Sequence, residues 1–369
     1  MLAHYAANTL AQVRRSPLAA AIRVLTLAVG LACFIAAHAI TGFWQRSERH
    51  FANVNRIFSV STDLAFRDGS LETGELPLTN EHVASYLETD YPGLAAVARA
   101  RVIGEAAMVS ADDRALRLFR VDVDPEFLEI FDLPFIAGDS RRALREPGSV
   151  VLTEEAAEKL FGEKPALGRR VRLSNSVDAL VTGVIAAIPE PSHMGRSATA
   201  SLRFDLLASR DLSQPPAGAD ARAAPENWLV LDTATYIMLP ADGSLTAKRL
   251  DGELGAFAGR HVPREQLAFA RLAFGLVPVA ELLVRSGSSG VFLARTGLPV
   301  TTALSLLGAL VLAVACANYG NLAAATALAF SHEVAVRKVM GATPLQIAGQ
   351  YLLDAGVFTC AGFVVALVA

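Results

Sequence analysis

Long apolar segments lie at both ends of the chain and enclose a stretch in which apolar and polar residues alternate. The apolar segments are 19–43, 298–330 and 347–369. About 20 apolar residues in a helix cross a hydrocarbon core of roughly 30 Å, so each segment predicts a membrane-spanning helix. The first segment exceeds the roughly 7–15 residues of a signal peptide's apolar core, and Trp44 follows it as an interface anchor. We therefore predict that the first span is not cleaved.

Basic residues in the short polar segments predict the orientation of the chain. Pairs of basic residues occur at 14–15 and at 337–338. By the positive-inside rule, segments 1–18 and 331–346 are cytoplasmic and segment 44–297 lies on the opposite side of the membrane. The pattern predicts a multi-pass protein of the cell inner membrane, with a cytoplasmic N-terminus and a large periplasmic domain.

Two details of the apolar segments lead to further expectations. Arg23 lies near the start of the first segment, and we expect its long side chain to extend to the cytoplasmic interface. The third segment is still apolar at Ala369, so we expect this span to be incomplete and the sequence to be part of a longer protein.

The segment 44–297 mixes strand and helix patterns without regular alternation, which predicts an α+β domain. Its first residues, 44–57, are polar and compatible with a helix, so we expect the first span to continue as a helical stalk. Thr153 precedes two acidic residues and an apolar run that stops at Gly162, which predicts a capped helix. The same criteria predict helices near 79–91 and 244–259 and a short helix that opens at 125, and strands near 57–64, 97–109, 116–123, 149–152, 169–173, 179–188, 233–239 and 266–279.

The fold class that results is α-helical transmembrane segments plus an α+β periplasmic domain inserted between the first and second spans. Composition agrees, because hydrophobic residues make up 53% of the chain and charged residues only 19%, against roughly 25% in soluble domains. The formal net charge of −3 gives no electrostatic reason to bind nucleic acid. Cys33, Cys316 and Cys360 all fall in apolar segments, so we expect no disulfide in the periplasmic domain.

Motifs of catalytic and nucleotide-binding sites are missing from the sequence. It contains no phosphate loop, no H-E-x-x-H, no C-x-x-C and no G-x-S-x-G. The seven histidines are scattered, and the adjacent Glu154 and Glu155 point to different sides of a helix whose dipole they complement. We therefore predict no catalytic residue, no metal site and no cofactor of the chain's own.

Small and polar residues are concentrated in the second span. Small residues let membrane helices approach closely, and asparagines hydrogen-bond across them. On this basis, helix packing is predicted at Ala313, Ala317, Asn318, Gly320 and Asn321. Packing within one bundle and packing against another subunit both agree with the pattern. Without charged residues in the lipid, a transport pathway through the span is weakly supported.

The segment between the second and third spans, SHEVAVRKVMGATPLQIAGQY, predicts two helical elements joined by a turn. Glu333 and Arg337 are spaced i, i+4 in the order that favours an ion pair. Gly341 ends the first helix, and Thr343 caps the next helix with Pro344 at its first position. This charged element is either a solvated connector or a binding element for a cytoplasmic partner.

The residues EVAVRKVMGATPLQI resemble the E-x-x-x-R-K-x-x-G-A-x-x-x-Q-[IL] segment of FtsX/MacB-type ABC transporter permeases. The preceding ANYGNLAAATALA is similar to that family's N-x-x-N-L-A-x-A pattern. The domain between the spans resembles a MacB-type periplasmic core in the stretches NRIFSV, PEFLEIFDLPFIAGD, SVVLTEEAAEKLFGEKPALGRRVRL, VTGVIAAIPEPSH and NWLVLDTATYIML. The resemblance extends over essentially the whole chain.

The resemblance implies a permease subunit that couples ATP hydrolysis by a partner nucleotide-binding subunit to conformational work in the periplasm, in efflux or mechanotransmission. ATP would be bound by the partner alone. The segment after the second span would be the coupling helix, and the resemblance assigns contact with the ATPase subunit to Glu333, Arg337, Lys338, Gly341, Ala342 and Thr343.

Further partners follow from the same resemblance. They are a second permease half, either fused or separate, a periplasmic membrane-fusion protein and the lipid bilayer. A family module has four spans, so the resemblance implies a truncated N-terminal module. The alternative function is that of a membrane-bound sensor or scaffold that regulates a periplasmic partner such as a cell-wall hydrolase.

Overall fold

The computed structural model describes residues 17–174, 177–197, 200–213, 227–286, 300–329 and 331–368, without the side chains of residues 103–105, 213, 286, 300, 329, 333 and 337. The described residues form two compact units. We call the residues up to 43 together with those from 300 onward the membrane unit. The residues between 44 and 299 form the external domain.

The helices and strands alternate irregularly along the chain. The α-helices are α1 Pro17–Trp44, α2 His82–Asp90, α3 Glu126–Phe131, α4 Glu154–Phe161, α5 Ala247–Leu254, α6 Phe257–His261, α7 Arg264–Phe269, α8 Val279–Ser286, α9 Val300–Ala329, α10 Ser331–Val339 and α11 Pro344–Val368. The strands are β1 Ile57–Phe66, β2 Glu72–Leu76, β3 Ala96–Ala111, β4 Arg114–Val123, β5 Phe135–Gly138, β6 Ser149–Thr153, β7 Arg170–Leu173, β8 Val177–Ile185, β9 Met194–Gly195, β10 Leu202–Arg203, β11 Leu206–Ser209, β12 Thr233–Met238 and β13 Ala270–Pro278.

The membrane unit contains the long helices α1, α9 and α11 and the short helix α10. Each of the three long helices contains a stretch that is long and apolar enough to cross a membrane, with mean hydropathies of 2.3, 1.8 and 2.0. They cover the three apolar segments recognised in the sequence.

A mixed sheet forms the framework of the external domain. Its strands are ordered β13-β1-β12-β3-β4-β11-β6-β8-β5, with β2 added to β1 and β7 added to β3 and β8. Most neighbours are antiparallel, but β11 pairs with β4 and β6 pairs with β8 in parallel. Strands and helices of this kind confirm the predicted α+β class, inserted between the first two long apolar helices.

Three clusters of buried apolar side chains hold the helices against the sheet. One surrounds the fully buried Trp228 and joins α2, α5 and α6 to β1 and β13. A second joins α4 to β6, β7 and β8, and a third joins α3 to β3, β4 and β12. Burial of each large apolar side chain contributes about 1.5–3 kcal/mol, so these clusters account for most of the cohesion of the domain.

Helix α4 forms as its sequence predicts. The Thr153 hydroxyl accepts a hydrogen bond from the backbone N–H of Ala156 at 3.4 Å, which confirms the predicted N-cap. Glu154 and Glu155 lie in the first turn, where they complement the helix dipole. Gly162 follows the last helical residue with a φ of +65°, a conformation that favours glycine.

The expected helical stalk after the first span is wrong. Helix α1 ends at Trp44, and residues 45–50 form turns. The helix ends because of contacts with distant parts of the chain. Glu48 is buried in the external domain, and its φ of +62° interrupts a right-handed helix.

The part of the external domain before α8 also differs from the prediction. The strand expected over 266–279 begins only at Ala270, because Pro263 starts the short helix α7 before it. The helix expected over 244–259 is divided into α5 and α6, with residues 255–256 between them. The first difference arises because a short apolar run suits a helix and a strand equally well.

A buried carboxylate fixes the turn after α1. Glu48 is 0% exposed and accepts hydrogen bonds from the hydroxyls of Ser47 (3.0 Å) and Ser192 (2.8 Å) and from the backbone N–H of His193. The His193 ring places Nδ1 3.0 Å from Glu48 Oε1 and Nε2 3.0 Å from the Tyr236 hydroxyl. We call these five residues the Glu48 cluster. It ties the first residues after α1 to the loop before β9 and to β12.

Candidate functional site

The connector, residues 331–343, joins the end of α9 to the start of α11. Helix α10 forms most of it, and the backbone N–H groups of Met340 and Gly341 donate to the carbonyl oxygens of Val336 (3.0 Å) and Lys338 (3.1 Å). Gly341 has a φ of +94°, which L side chains rarely adopt, so the turn requires glycine here. The predicted end of this helix at Gly341 is confirmed.

Reciprocal hydrogen bonds cap the helix that follows the connector. The Thr343 hydroxyl accepts from the Gln346 backbone N–H at 3.4 Å, and the Gln346 side-chain oxygen accepts from the Thr343 backbone N–H at 3.0 Å. This arrangement is a capping box, with Pro344 at the first helical position. The cap predicted at Thr343 is confirmed. The role of Gln346 was missed, although the T-x-x-Q spacing in the sequence indicates it.

Apolar side chains of the connector and the first turn of α11 are exposed in the described structure. Val339, Met340 and Leu345 are 88%, 81% and 84% exposed, and Val336 is about half exposed. We call these four residues the connector patch. A contiguous group of exposed apolar side chains on a short segment is typical of a surface that a partner covers.

The residues that the sequence assigned to ATPase contact lie in and around this patch. Lys338, Gly341 and Thr343 are exposed, and Ala342 is half-buried. The side chains of Glu333 and Arg337 lie outside the described residues, so the ion pair between them stays a prediction. The basic Lys338 beside apolar neighbours suits a partner surface with an apolar recess and acidic groups.

Glycines bring α1 close to both other long helices. A Cβ on Gly308 of α9 would lie 2.9 Å from the Cβ of Ala37, and a Cβ on Gly30 would collide with a side chain of α9. A Cβ on Gly362 of α11 would lie 3.1 Å from the Cβ of Leu27. These contacts are those of a closely packed membrane bundle, in which small residues let backbones approach.

The residues of α9 that were predicted to pack do not make these contacts. All five are exposed in the described structure, namely Ala313, Ala317, Asn318, Gly320 and Asn321. No described atom lies within 4 Å of a Cβ placed on Gly320, leaving aside that residue's own chain neighbours and helix backbone. Their packing against another helix stays a prediction, and the helix that would cover them is not among the described residues.

Two oppositely charged side chains lie buried among the membrane helices. Arg23 is 6% exposed and donates to the Leu322 carbonyl oxygen of α9 at 3.1 Å and to the Thr326 hydroxyl. Its guanidinium is therefore held among these helices, and its extension to the interface stays a prediction. Asp354 of α11 is also buried, so the expectation of spans without internal charge is wrong. A single acidic residue in an apolar helix was the sequence signal for it.

Groups that could bind metal or form disulfides are dispersed in the described part of the chain. No three His, Cys, Asp or Glu side chains among these residues are placed to hold a metal ion. Cys33, Cys316 and Cys360 are free thiols, each exposed on a helix of the membrane unit.

Known proteins resemble the external domain and the helix that precedes it. A sequence model of the MacB-like periplasmic core domain matches residues 20–243, which is more than half of the chain. A domain assigned to a permease protein from Porphyromonas gingivalis has a similar fold, with 24% sequence identity and a TM-score of 0.50. That similarity covers 62% of this chain and 92% of the other.

Two further solved structures are more distantly similar. The periplasmic region of MacB from Actinobacillus actinomycetemcomitans is 10% identical with a TM-score of 0.40, over 62% of this chain and 92% of that one. The extracellular domain of the noncanonic ABC-type transporter YknZ from Gram-positive bacteria is 13% identical with a TM-score of 0.39, over 59% of this chain and 99% of that one. No curated protein matches the chain.

The family match extends from the first turns of α1, through strands β1 to β12, to the loop after β12. It agrees with the resemblance carried by the sequence motifs of the external domain. The chain belongs to the family of the MacB-like periplasmic core domain.

Proposed function

We propose that the chain is the permease subunit of an ABC-type transporter of the cell inner membrane, and that it couples ATP hydrolysis in a partner subunit to conformational work in the periplasm. Family membership supports the permease role. The observation that carries the coupling role is the connector patch, which is exposed between two helices able to cross a membrane. Covering apolar surface is favourable by about 25 cal/mol per Å², so this patch favours a bound partner.

The proposed partner at the connector is the ABC ATPase subunit. Val339 and Met340 would enter an apolar recess of that subunit, and Lys338 would face acidic groups at its rim. The other proposed contacts are Glu333, Arg337, Gly341, Ala342 and Thr343. Because the turn at Gly341 and the cap at Thr343 restrict the connector, a displacement of the connector would move α9 and α11 together.

The remaining partners are proposed from the faces that the chain leaves exposed. The small-residue face of α9 around Ala317 would pack against a second permease half. ATP would bind to the partner subunit, and this chain would contribute no catalytic residue or cofactor. The external domain would move in the periplasm, where a membrane-fusion protein is a further proposed partner.

The coupling role predicts how charge reversal changes binding to the ATPase. In the full-length protein, Arg337→Glu combined with Lys338→Glu replaces attraction by repulsion and should abolish co-purification of the ATPase subunit. The matched control is Lys248→Glu, because Lys248 is an exposed lysine on α5 of the external domain. The control should retain the ATPase at the wild-type level. Bound ATPase is quantified by mass spectrometry of the purified complex.

Two results would contradict the proposal. One is wild-type binding of the ATPase to the charge-reversed protein, which would remove the connector as the binding element. The other is recovery of the wild-type protein without an ATPase but with a cell-wall hydrolase on its external domain. That outcome would favour the scaffold function instead.

A further inference from the structure

Among the described residues, all three long helices meet at a buried site around the side chain of Arg23. Arg23, in the second turn of α1, reaches α9 and donates through Nη2 to the Leu322 carbonyl oxygen (3.1 Å) and the Thr326 hydroxyl. Its guanidinium carbon lies 5.5 Å from the centre of the Phe358 ring on α11. One side chain of α1 therefore contacts both other helices.

The charges around this site are complementary. Arg23 and Asp354 are the only Arg, Lys, Asp or Glu residues in α1, α9 and α11, they have opposite sign, and both are buried. Tyr319 of α9 lies beside the site, with its ring centroid 6.4 Å from that of Phe358. Burying a charged side chain inside a membrane helix bundle costs free energy. A site that holds two such side chains therefore has a role beyond packing.

The position of the site relates it to the connector. Thr326 lies in the last turn of α9, directly before α10 begins at Ser331. Asp354 lies about three turns into α11, on the other side of the connector. The polar contacts of Arg23 are therefore made to the helix end that the connector would displace, while the far end of α1 continues directly into the external domain at Trp44.

One hydrogen-bond donor of Arg23 is not used in the described structure. Its Nε is buried and has no hydrogen-bond acceptor among the described residues. Separating the guanidinium from its two acceptors on α9 would leave further buried donors without hydrogen bonds, which costs free energy and holds α1 to α9.

We propose that Arg23 is a positioning residue that transmits movement of the connector to α1, and through α1 to the segment that leads into the external domain. This inference rests on the proposed function, because the ATPase supplies the movement. The guanidinium holds α1 to the end of α9 and against α11, so displacement of these helices carries α1 with them. Without the Arg23 guanidinium, the connector moves and α1 does not move with it.

The test measures ATP-dependent hydrogen–deuterium exchange in the full-length protein bound to its ATPase subunit. Exchange is compared between the nucleotide-free complex and the complex with ATP and vanadate, at residues 331–343 and at residues 45–56. In the wild type, hydrogen–deuterium exchange should differ between the two states in both regions. Arg23→Ala should keep the ATPase and the response at 331–343, and lose the response at 45–56. Arg23→Lys, which retains the charge and part of the hydrogen bonding, should restore the response at 45–56.

Two further variants control for folding. Thr26→Ala lies one turn away on α1, and its hydroxyl donates only to the Ile22 carbonyl oxygen of the same helix, so it should respond like the wild type. Thr326→Val keeps the shape of the side chain but removes one of the two acceptors of Arg23, and it should weaken the response at 45–56 even if Arg23→Ala fails to fold.

Each alternative outcome identifies what has failed. A wild-type response at 45–56 in Arg23→Ala or in Thr326→Val overturns the inference. Loss of ATPase binding in both Arg23→Ala and Arg23→Lys also overturns it, because Arg23 would then only maintain the fold. If exchange in the wild type changes with ATP at 331–343 but not at 45–56, this inference is contradicted and the proposed function is unaffected. No response at 331–343 in the wild type rejects the proposed function, and this inference with it.

Discussion

At the scale of single residues, Glu48 shows how one side chain determines where a membrane helix ends. Burial acts to raise the pKa of its carboxyl group, but the charge of His193 and hydrogen bonds from His193 and Ser192 outweigh burial and hold the pKa below its ordinary value. The carboxylate stays ionised in the interior because donors surround it. A continuing helix would carry Glu48 away from these donors, so the chain turns instead.

The Glu48 cluster predicts a pH dependence of stability. Because the folded-state pKa is lowered, the cluster contributes stability that is present above the unfolded-state pKa near 4.5 and is lost as pH falls through the folded-state pKa. Glu48→Gln should remove this acid-sensitive part and lower the free energy of unfolding at pH 7 by about 1–3 kcal/mol. The free energy of unfolding is measured by urea denaturation. The transition is monitored through the fluorescence of the fully buried Trp228 in a Trp44→Phe background.

The matched control for this measurement is an acidic residue outside the core. Asp242 is exposed, and its pKa is lowered by hydrogen bonds from the backbone and hydroxyl of Ser244. Asp242→Asn should leave the unfolding midpoint at pH 7 close to that of the wild type. If Glu48→Gln behaves like this control, the cluster does not anchor the turn.

At the scale of elements, the stiffness of the connector depends on its two ends. Gly341 supplies a backbone conformation that other residues adopt only with strain, and Thr343 with Gln346 closes the first turn of α11. In the proposed coupling role the connector must keep its shape while the partner moves it, so the cap would bear on function as well as on stability.

Removing the cap should loosen the start of α11. Thr343→Ala deletes the hydroxyl that accepts from the Gln346 backbone N–H and should cost about 1 kcal/mol of local stability. Faster hydrogen–deuterium exchange is expected in residues 343–347, and Thr343→Ser should restore the wild-type rate because it keeps the hydroxyl. Unchanged exchange in Thr343→Ala would show that packing, rather than the cap, orders this turn.

The elements that could be predicted from sequence are those fixed by neighbouring residues. The caps at Thr153 and Thr343 and the turn at Gly341 depend on residues a few positions away, and the structure confirms them. The burial of Glu48 could not be predicted, because its partners lie about 145 residues later in the chain. The contacts of Arg23 could not be predicted for the same reason, since its acceptors lie on another helix.

At the scale of the whole molecule, helix α9 has two faces with different neighbours. On one face, Gly308 approaches Ala37 of α1 so closely that no side chain fits between them. On the other face, small residues such as Ala317 are exposed in the described structure. The first face holds this chain together, and the second is the proposed contact with another permease half.

Substitutions on these two faces should have different effects. Ala317→Leu should reduce association of full-length protomers in detergent and leave thermal stability of the single chain unchanged, because nothing in the described chain covers Ala317. Gly308→Leu should lower thermal stability, because the added side chain collides with Ala37. Association is measured by mass photometry and stability by thermal unfolding. Equal association of Ala317→Leu and wild type would rule out this face as the contact.

The central claim is that an ABC ATPase subunit covers the connector, and site-specific photo-cross-linking tests it most directly. A benzoylphenylalanine at Met340, which is 81% exposed, is activated by ultraviolet light in the full-length protein in its native membrane. The account predicts an adduct with an ABC ATPase subunit, identified by mass spectrometry. The same probe at Phe269, which is exposed on the external domain, should give no such adduct. A Met340 probe that reaches only lipid or an unrelated protein, or an ATPase adduct from Phe269 instead, would contradict the account.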